Sequence, residues 1–205
     1  MGNDLTKSSA GAPAVPKEVH QIKMGSDSRY YENIGTLNQE LHITVLNLPE
    51  TAQIPMWSRD CYNLFIVDGA DFHRKPQGCF DIVGDAILAA GFTSERIRDS
   101  YLPLTTDIKS DISVCPCIFA NRNQHEGIPG ERQAAVFGYI TEIRESRGKV
   151  TIHYQAVKTL SQKGLHTILD AMGIKGASCA NEFDIVHWAI KEIDLFAAVP
   201  GLDDY

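Results

Sequence analysis

Asp68, Asp71 and His73 lie close together in the stretch Asp68-Gly-Ala-Asp-Phe-His73. The stretch follows Tyr62-Asn-Leu-Phe-Ile-Val67, a near-continuous apolar run of the kind that forms a buried strand. Two carboxylates and an imidazole at a strand end supply the oxygen and nitrogen donors that Mg²⁺, Mn²⁺ or Zn²⁺ takes. These three residues are therefore candidate metal ligands, and the chain a candidate metal-dependent hydrolase or nuclease. The competing reading is an Asp-Gly turn with solvated polar neighbours.

A second set of residues suits recognition instead of catalysis. Trp57, Phe119 and Trp188 fall in or beside predicted strands. Asn121-Arg-Asn-Gln-His125 forms an amide-rich segment directly after one of them. Aromatic rings that stack, rimmed by amides that read edges, are how a flipped base or another flat ligand is held. Trp57, Phe119, Asn121, Asn123, His187 and Trp188 are the candidate binding residues, with a base, a nucleotide or a protein as partner. The plainer alternative is that the aromatics are core and the Asn-rich segment a turn.

The cysteines offer a third chemistry. Cys61, Cys79, Cys115, Cys117 and Cys179 are odd in number and widely scattered. With no secretion signal in the sequence, they read as reduced thiols in a cytoplasm. Cys115-Pro-Cys117 lacks the spacing of a zinc knuckle or a redox helix. A cysteine nucleophile needs a histidine beside it in space, which sequence spacing does not supply. Walker A, G-x-G-x-x-G, G-x-S-x-G and H-E-x-x-H patterns are all absent, which removes the commonest nucleotide, dinucleotide, esterase and metalloprotease readings and leaves any cofactor unknown.

Composition narrows the partners. The 205-residue chain has 43% hydrophobic and 22% charged residues, close to a globular average, and a net charge of −7. An acidic body disfavours binding driven by the phosphate backbone, though it permits reading of a single base in a pocket. No apolar run approaches the roughly 18 residues of a membrane span. The expected setting is the cytoplasm, with no membrane partner.

These side chains need a scaffold, and the pattern predicts one. Residues 1–18 are rich in Ser, Ala, Gly and Pro and read as a disordered tail. Leu41–Leu48 and Tyr62–Val67 read as strands, and Phe80–Ala90 as a helix ending at Gly91. Ile112–Phe119 reads as an edge strand because of Pro116. Ala134–Ile143 and Lys149–Val157 form a hairpin, with Val150, Ile152 and Tyr154 on its inner face. Leu160–Met172 has helical spacing with Ser161 as N-cap, and His187–Leu195 returns as a strand. Residues 200–205 form an acidic tail. The sum is a single α+β domain over residues 19–199, with a mostly antiparallel, barrel-like sheet and two or three helices. A pocket is expected between the 134–157 hairpin and the strand at 188–195.

Two resemblances follow from particular phrases. Pro116-Cys-Ile-Phe-Ala-Asn121, Phe137-Gly-Tyr-Ile-Thr-Glu-Ile143, His187-Trp-Ala-Ile-Lys191 and Asp194-Leu195 resemble a pattern in a family of uncharacterised bacterial proteins, some of them associated with phage defence. The order of strand, Gly-bearing strand, hairpin, helix and returning strand is similar to barrels of the PUA/EVE/ASCH type. There, a phrase like Val136-Phe-Gly-Tyr-Ile-Thr-Glu-Ile143 opens the barrel hairpin. That resemblance implies binding of RNA or modified DNA bases.

Overall fold

Every residue of Tyr62–Val67 is buried, and this strand, β2, lies in the interior of the sheet, one strand in from an edge. Its continuous apolar pattern fits a strand covered on both faces. The computed structural model describes residues 41–46, 48, 55–72, 76–177 and 180–202. The expected tail at 1–18 lies outside them, as does the start expected for the domain at residue 19.

Around β2 stand β1 (Ile43–Val45), β3 (Gln77–Val83), β4 (Cys117–Asn121), β5 (Ala134–Ser146) and β6 (Lys149–Ser161). Strands β7 (Gly176–Ala177), β8 (Ala180–Asn181) and β9 (His187–Lys191) follow. The main sheet runs β1-β6-β5-β4-β2-β9, and β3 also pairs with β6. Among the described strands, only β2 and β4 pair in parallel, and every other strand pairing is antiparallel. The fold is α+β with a mixed, mostly antiparallel sheet. The expectation of a barrel is corrected, because β1 and β3 lie at one edge, β9 at the other, and the sheet does not close.

Two apolar clusters cover the two faces. On the first face Phe65, Phe119 and Trp188 pack with Ile82, Ile112, Ile152 and Tyr154. On the second, Leu64, Ile118 and Phe137 pack with Leu165, Phe183, Leu195 and Leu202. Helices α1 (Glu95–Tyr101) and α2 (Thr106–Ser113) contribute Ile97 and Ile112 to the first. Helices α3 (Gln162–Leu165) and α4 (Leu195–Ala198) contribute Leu165 and Phe196 to the second. None of the described helices is long and apolar enough to cross a membrane.

The hairpin is present and longer than its sequence pattern indicated. The inward faces of Val150, Ile152 and Tyr154 are buried as expected. Register shifts between Phe137 and Gly138 and between Ile140 and Glu142 mark bulges that curve it. Ser161 caps α3 by accepting from the Gly164 amide, so β6 runs on to Ser161 where a helix was expected from Leu160. The expected helix at 80–90 is instead the second half of β3 followed by a single 3₁₀ turn, Gly84–Ala86. The expected strand at 112–119 begins as the end of α2. Its true strand, β4, is interior, because Pro116 stands just before it and needs no ladder hydrogen bond.

Cys61 and Cys115 are joined in a disulfide across a Cα separation of 5.8 Å. This corrects the reading of all the cysteines as reduced thiols. β2 and β4 lie side by side, so residues far apart in the chain are brought to bonding distance just before the two strands begin.

Candidate functional site

Parallel pairing carries the ends of β2 and β4 to the same edge of the sheet. Val67 is opposite Asn121, and on the antiparallel β9 His187 is opposite Ile66. Asp68, Asn121 and His187 therefore gather at one end of the sheet. The carboxyl ends of parallel strands are where open α/β sheets place their ligands.

Amide hydrogen bonds fix this end. The Asn121 side chain accepts from the Ala70 amide at 2.9 Å and donates to the Ala70 carbonyl at 2.7 Å, joining the segments that follow β2 and β4. Asn123 donates to Asp184 at 2.7 Å. Asp184 also accepts from the amides of Gly127 at 2.8 Å and Asn181 at 2.7 Å. Burial alone would raise the Asp184 carboxyl. The donors from Asn181, Asn123 and Gly127 outweigh it and hold the group below its usual range. The Asn121–Gly130 segment is thus tethered at several points.

What this tethered loop presents outward is a groove. Arg122, Gln124, Arg132 and Gln133 line a concavity of about 400 Å³. Through Arg132 and Gln133 it continues into a second of about 330 Å³ beside His42, Thr44, Thr159 and Ser161. Arg122 pairs with Asp68 at 3.0 Å, both side chains more than half exposed. The lining mixes guanidinium, amide, imidazole and hydroxyl groups with the carboxylate of Glu131. Such a surface can stack a flat ring on a guanidinium and hydrogen-bond its edge.

The residues singled out from sequence separate into three places. Asp68, Asn121 and Asn123 belong to the groove end, Asp71 lies in the segment after β2 within electrostatic reach of Tyr154, and His73 lies outside the described residues. Among the described residues, no three His, Cys, Asp or Glu side chains stand close enough to hold a metal ion. Phe119 and Trp188 are fully buried and stack on either side of Phe65, at centroid distances of 5.1 and 5.4 Å. Trp188 donates its indole N–H to Asn63 at 3.0 Å. Trp57 packs against Phe137, Tyr139 and Phe196 on the second face. The pocket expected between the 134–157 hairpin and the 188–195 strand cannot form there, because β4 and β2 stand between them.

His187 is buried in an ionic cluster. Its Nδ1 lies 2.7 Å from the Ile185 carbonyl, and its Nε2 lies 3.6 Å from Glu182. Glu182 also takes Lys191 at 2.6 Å and the Lys175 amide at 2.5 Å. The Tyr62 hydroxyl, pushed well up by burial and by the nearby Glu182 charge, donates to the Met172 carbonyl at 2.7 Å.

Arg132, Gln133 and His42 escaped the sequence reading. No periodicity marks them, since strand pairing alone sets the start of β5 on one side of the end of β6 and β1 on the other. No protein-family model, no curated protein and no solved structure matches the chain.

Proposed function

We propose that this protein is a recognition module that binds a nucleic-acid base or nucleotide in the groove beside Arg122 and Arg132. The observation that carries the reading is the tethered loop. Asn121, Asn123 and Asp184 turn their polar atoms inward to fix the backbone, while the intervening Arg122 and Gln124 are exposed at the groove. A preorganised polar rim lowers the ordering cost of binding. The resemblance to a family of uncharacterised bacterial proteins, some of them associated with phage defence, supports a role in that setting. The mixed charge of the rim goes with weak salt dependence, because few phosphates are neutralised.

The test is equilibrium binding of free nucleotides, single-stranded DNA and RNA, and duplexes with modified bases, at two salt concentrations. Binding should weaken roughly ten- to a hundredfold in Arg122→Ala, in line with loss of a stacking platform worth about 1–3 kcal/mol. No binding by any probe ends the nucleic-acid reading and leaves a protein partner. Steep loss of binding with salt would show that phosphates carry the affinity.

A second reading, metal-dependent hydrolysis by Asp68, Asp71 and His73, is favoured by the position of both carboxylates in the segment that follows β2. Metal analysis of the purified protein, with Asp68→Ala alongside, decides it.

A further inference from the structure

Cys79 and His153 stand opposite each other across the β3–β6 ladder. On the other side of β6, His153 is opposite Glu142 of β5. The three side chains form one row across three adjacent strands. They share the outer face, because Phe80, Ile82, Ile143, Ile152 and Tyr154 take the inner one. Slipping any one of these strands by a single residue would turn its member of the row inward.

The type of pairing sharpens this geometry. The Ala156 amide donates to the Pro76 carbonyl at 2.7 Å, so Pro76 and Ala156 form a hydrogen-bonded pair. Alternation then makes Cys79 and His153 a non-hydrogen-bonded pair, the kind that brings side chains closest, with Cα atoms about 4.5 Å apart. The same alternation turns the Cys79 amide N–H away from β6. β3 pairs only with β6 among the described residues, so that N–H points off the sheet edge beside the thiol. The bulge at Thr141 curves β5, and Gln77, Cys79, Thr141, His153 and Gln155 line a concavity of about 430 Å³. Arg144, paired to Glu142 at 2.6 Å, brings a positive charge within electrostatic reach of Cys79.

We propose that this row is a second site, a thiol acyl-transfer centre for small esters and thioesters. Cys79 is the nucleophile, His153 the base, and Glu142 a positioning residue for the imidazole. In the first half-reaction His153 takes the thiol proton as the Cys79 sulfur bonds to the acyl carbon. The bond to the leaving oxygen or sulfur breaks, and His153 returns the proton to the departing alcohol or thiol. The Cys79 amide N–H faces the carbonyl oxygen as that oxygen gains charge. In the second half-reaction water gives a proton to His153 and its oxygen bonds to the acyl carbon. The carbon–sulfur bond breaks and the thiol regains the proton. The products are a carboxylic acid and an alcohol or thiol. Cys117 is fully buried, and burial pushes its thiol far up, so of these two free thiols Cys79 is the reactive one.

The experiment treats the full chain with p-nitrophenyl acetate, follows nitrophenolate release, and maps the acetyl group by peptide mass. The expected result is acetylation of Cys79 at least about tenfold faster than in the urea-unfolded chain. His153→Ala should slow it about a hundredfold, within the usual range for loss of a general base. Glu142→Gln should slow it and Glu142→Asp should restore it, a rescue that a merely structural role would not give. Iodoacetamide gives an independent reading of the thiol and should show the same dependence on His153. Circular dichroism checks that each variant folds. Equal rates in folded and unfolded chains, or rates indifferent to His153→Ala, overturn the proposal.

Discussion

Lys191 reaches both carboxylate oxygens of Glu182, at 2.7 and 2.6 Å, with side chains only 5% and 0% exposed. A buried pair of this kind is costly to break, because the surviving charge has no water to turn to. Glu182→Gln should destabilise the protein by about 3–5 kcal/mol in urea unfolding. Adding Lys191→Met to it should recover part of that loss. A loss under about 1 kcal/mol in the single variant would show that water reaches the pair.

The same carboxylate sets a pH dependence. Burial alone would raise Glu182, but the nearby His187 imidazole, Lys191 and the Lys175 amide outweigh it and hold the group below its ordinary range. Its contribution is fully present above the unfolded value of about 4.3 and is lost as pH falls through the folded value. Asp184, held down by its own donors, has the same sign. Urea midpoints should fall between about pH 5 and 3, and Glu182→Gln should flatten that fall.

Asp184 joins the Gly127 amide and the Asn123 side chain to the turn at Asn181. Asp184→Ala should cost about 1–3 kcal/mol, as buried donors lose their acceptor. It should also open the 124–130 segment to limited proteolysis. A segment as resistant as in the parent protein would mean that Asn121 alone holds it.

Gly138 lies at a bulge of β5, where an added Cβ would collide with the Gln155 carbonyl oxygen and crowd the Ala156 backbone. Both obstacles are main chain and cannot rotate away. Gly138→Ala should cost about 1–3 kcal/mol, and an unchanged melting curve would show that the bulge can slide.

The disulfide between Cys61 and Cys115 spans 54 residues of sequence. Constraint of the unfolded chain by a loop of that size is worth up to about 4 kcal/mol in the chain-entropy account. Reduction should lower the urea midpoint, and Cys61→Ser should reproduce the reduced value. Identical midpoints with and without reductant would show that the bond adds nothing.

Strands that carry their own pattern were legible. β2 is a continuous apolar run, and the inner face of β6 alternates at Val150, Ile152 and Tyr154. β3 was missed because Phe80 and Ile82 run into apolar residues of the following turn, and together they mimic helical spacing. Reading it as a helix hid the row of Cys79, His153 and Glu142, which exists only once three strands are in register. The groove was half legible. Asp68 and the amides after Asn121 were visible as clusters, but only the parallel pairing of β2 and β4 puts them at one end. That pairing spans a crossover that no local pattern encodes.

Lys158 is opposite Val45 in the ladder and donates to the Gly201 carbonyl at 2.7 Å. The beginning and the end of the described chain are thus fastened to one residue. Leu41 and Leu202 pack in the same cluster. In topological terms the described residues form nearly a closed loop. A short linker between residues 41 and 202, with new termini cut at the Arg147–Gly148 turn, would yield a circular permutant with its packing kept.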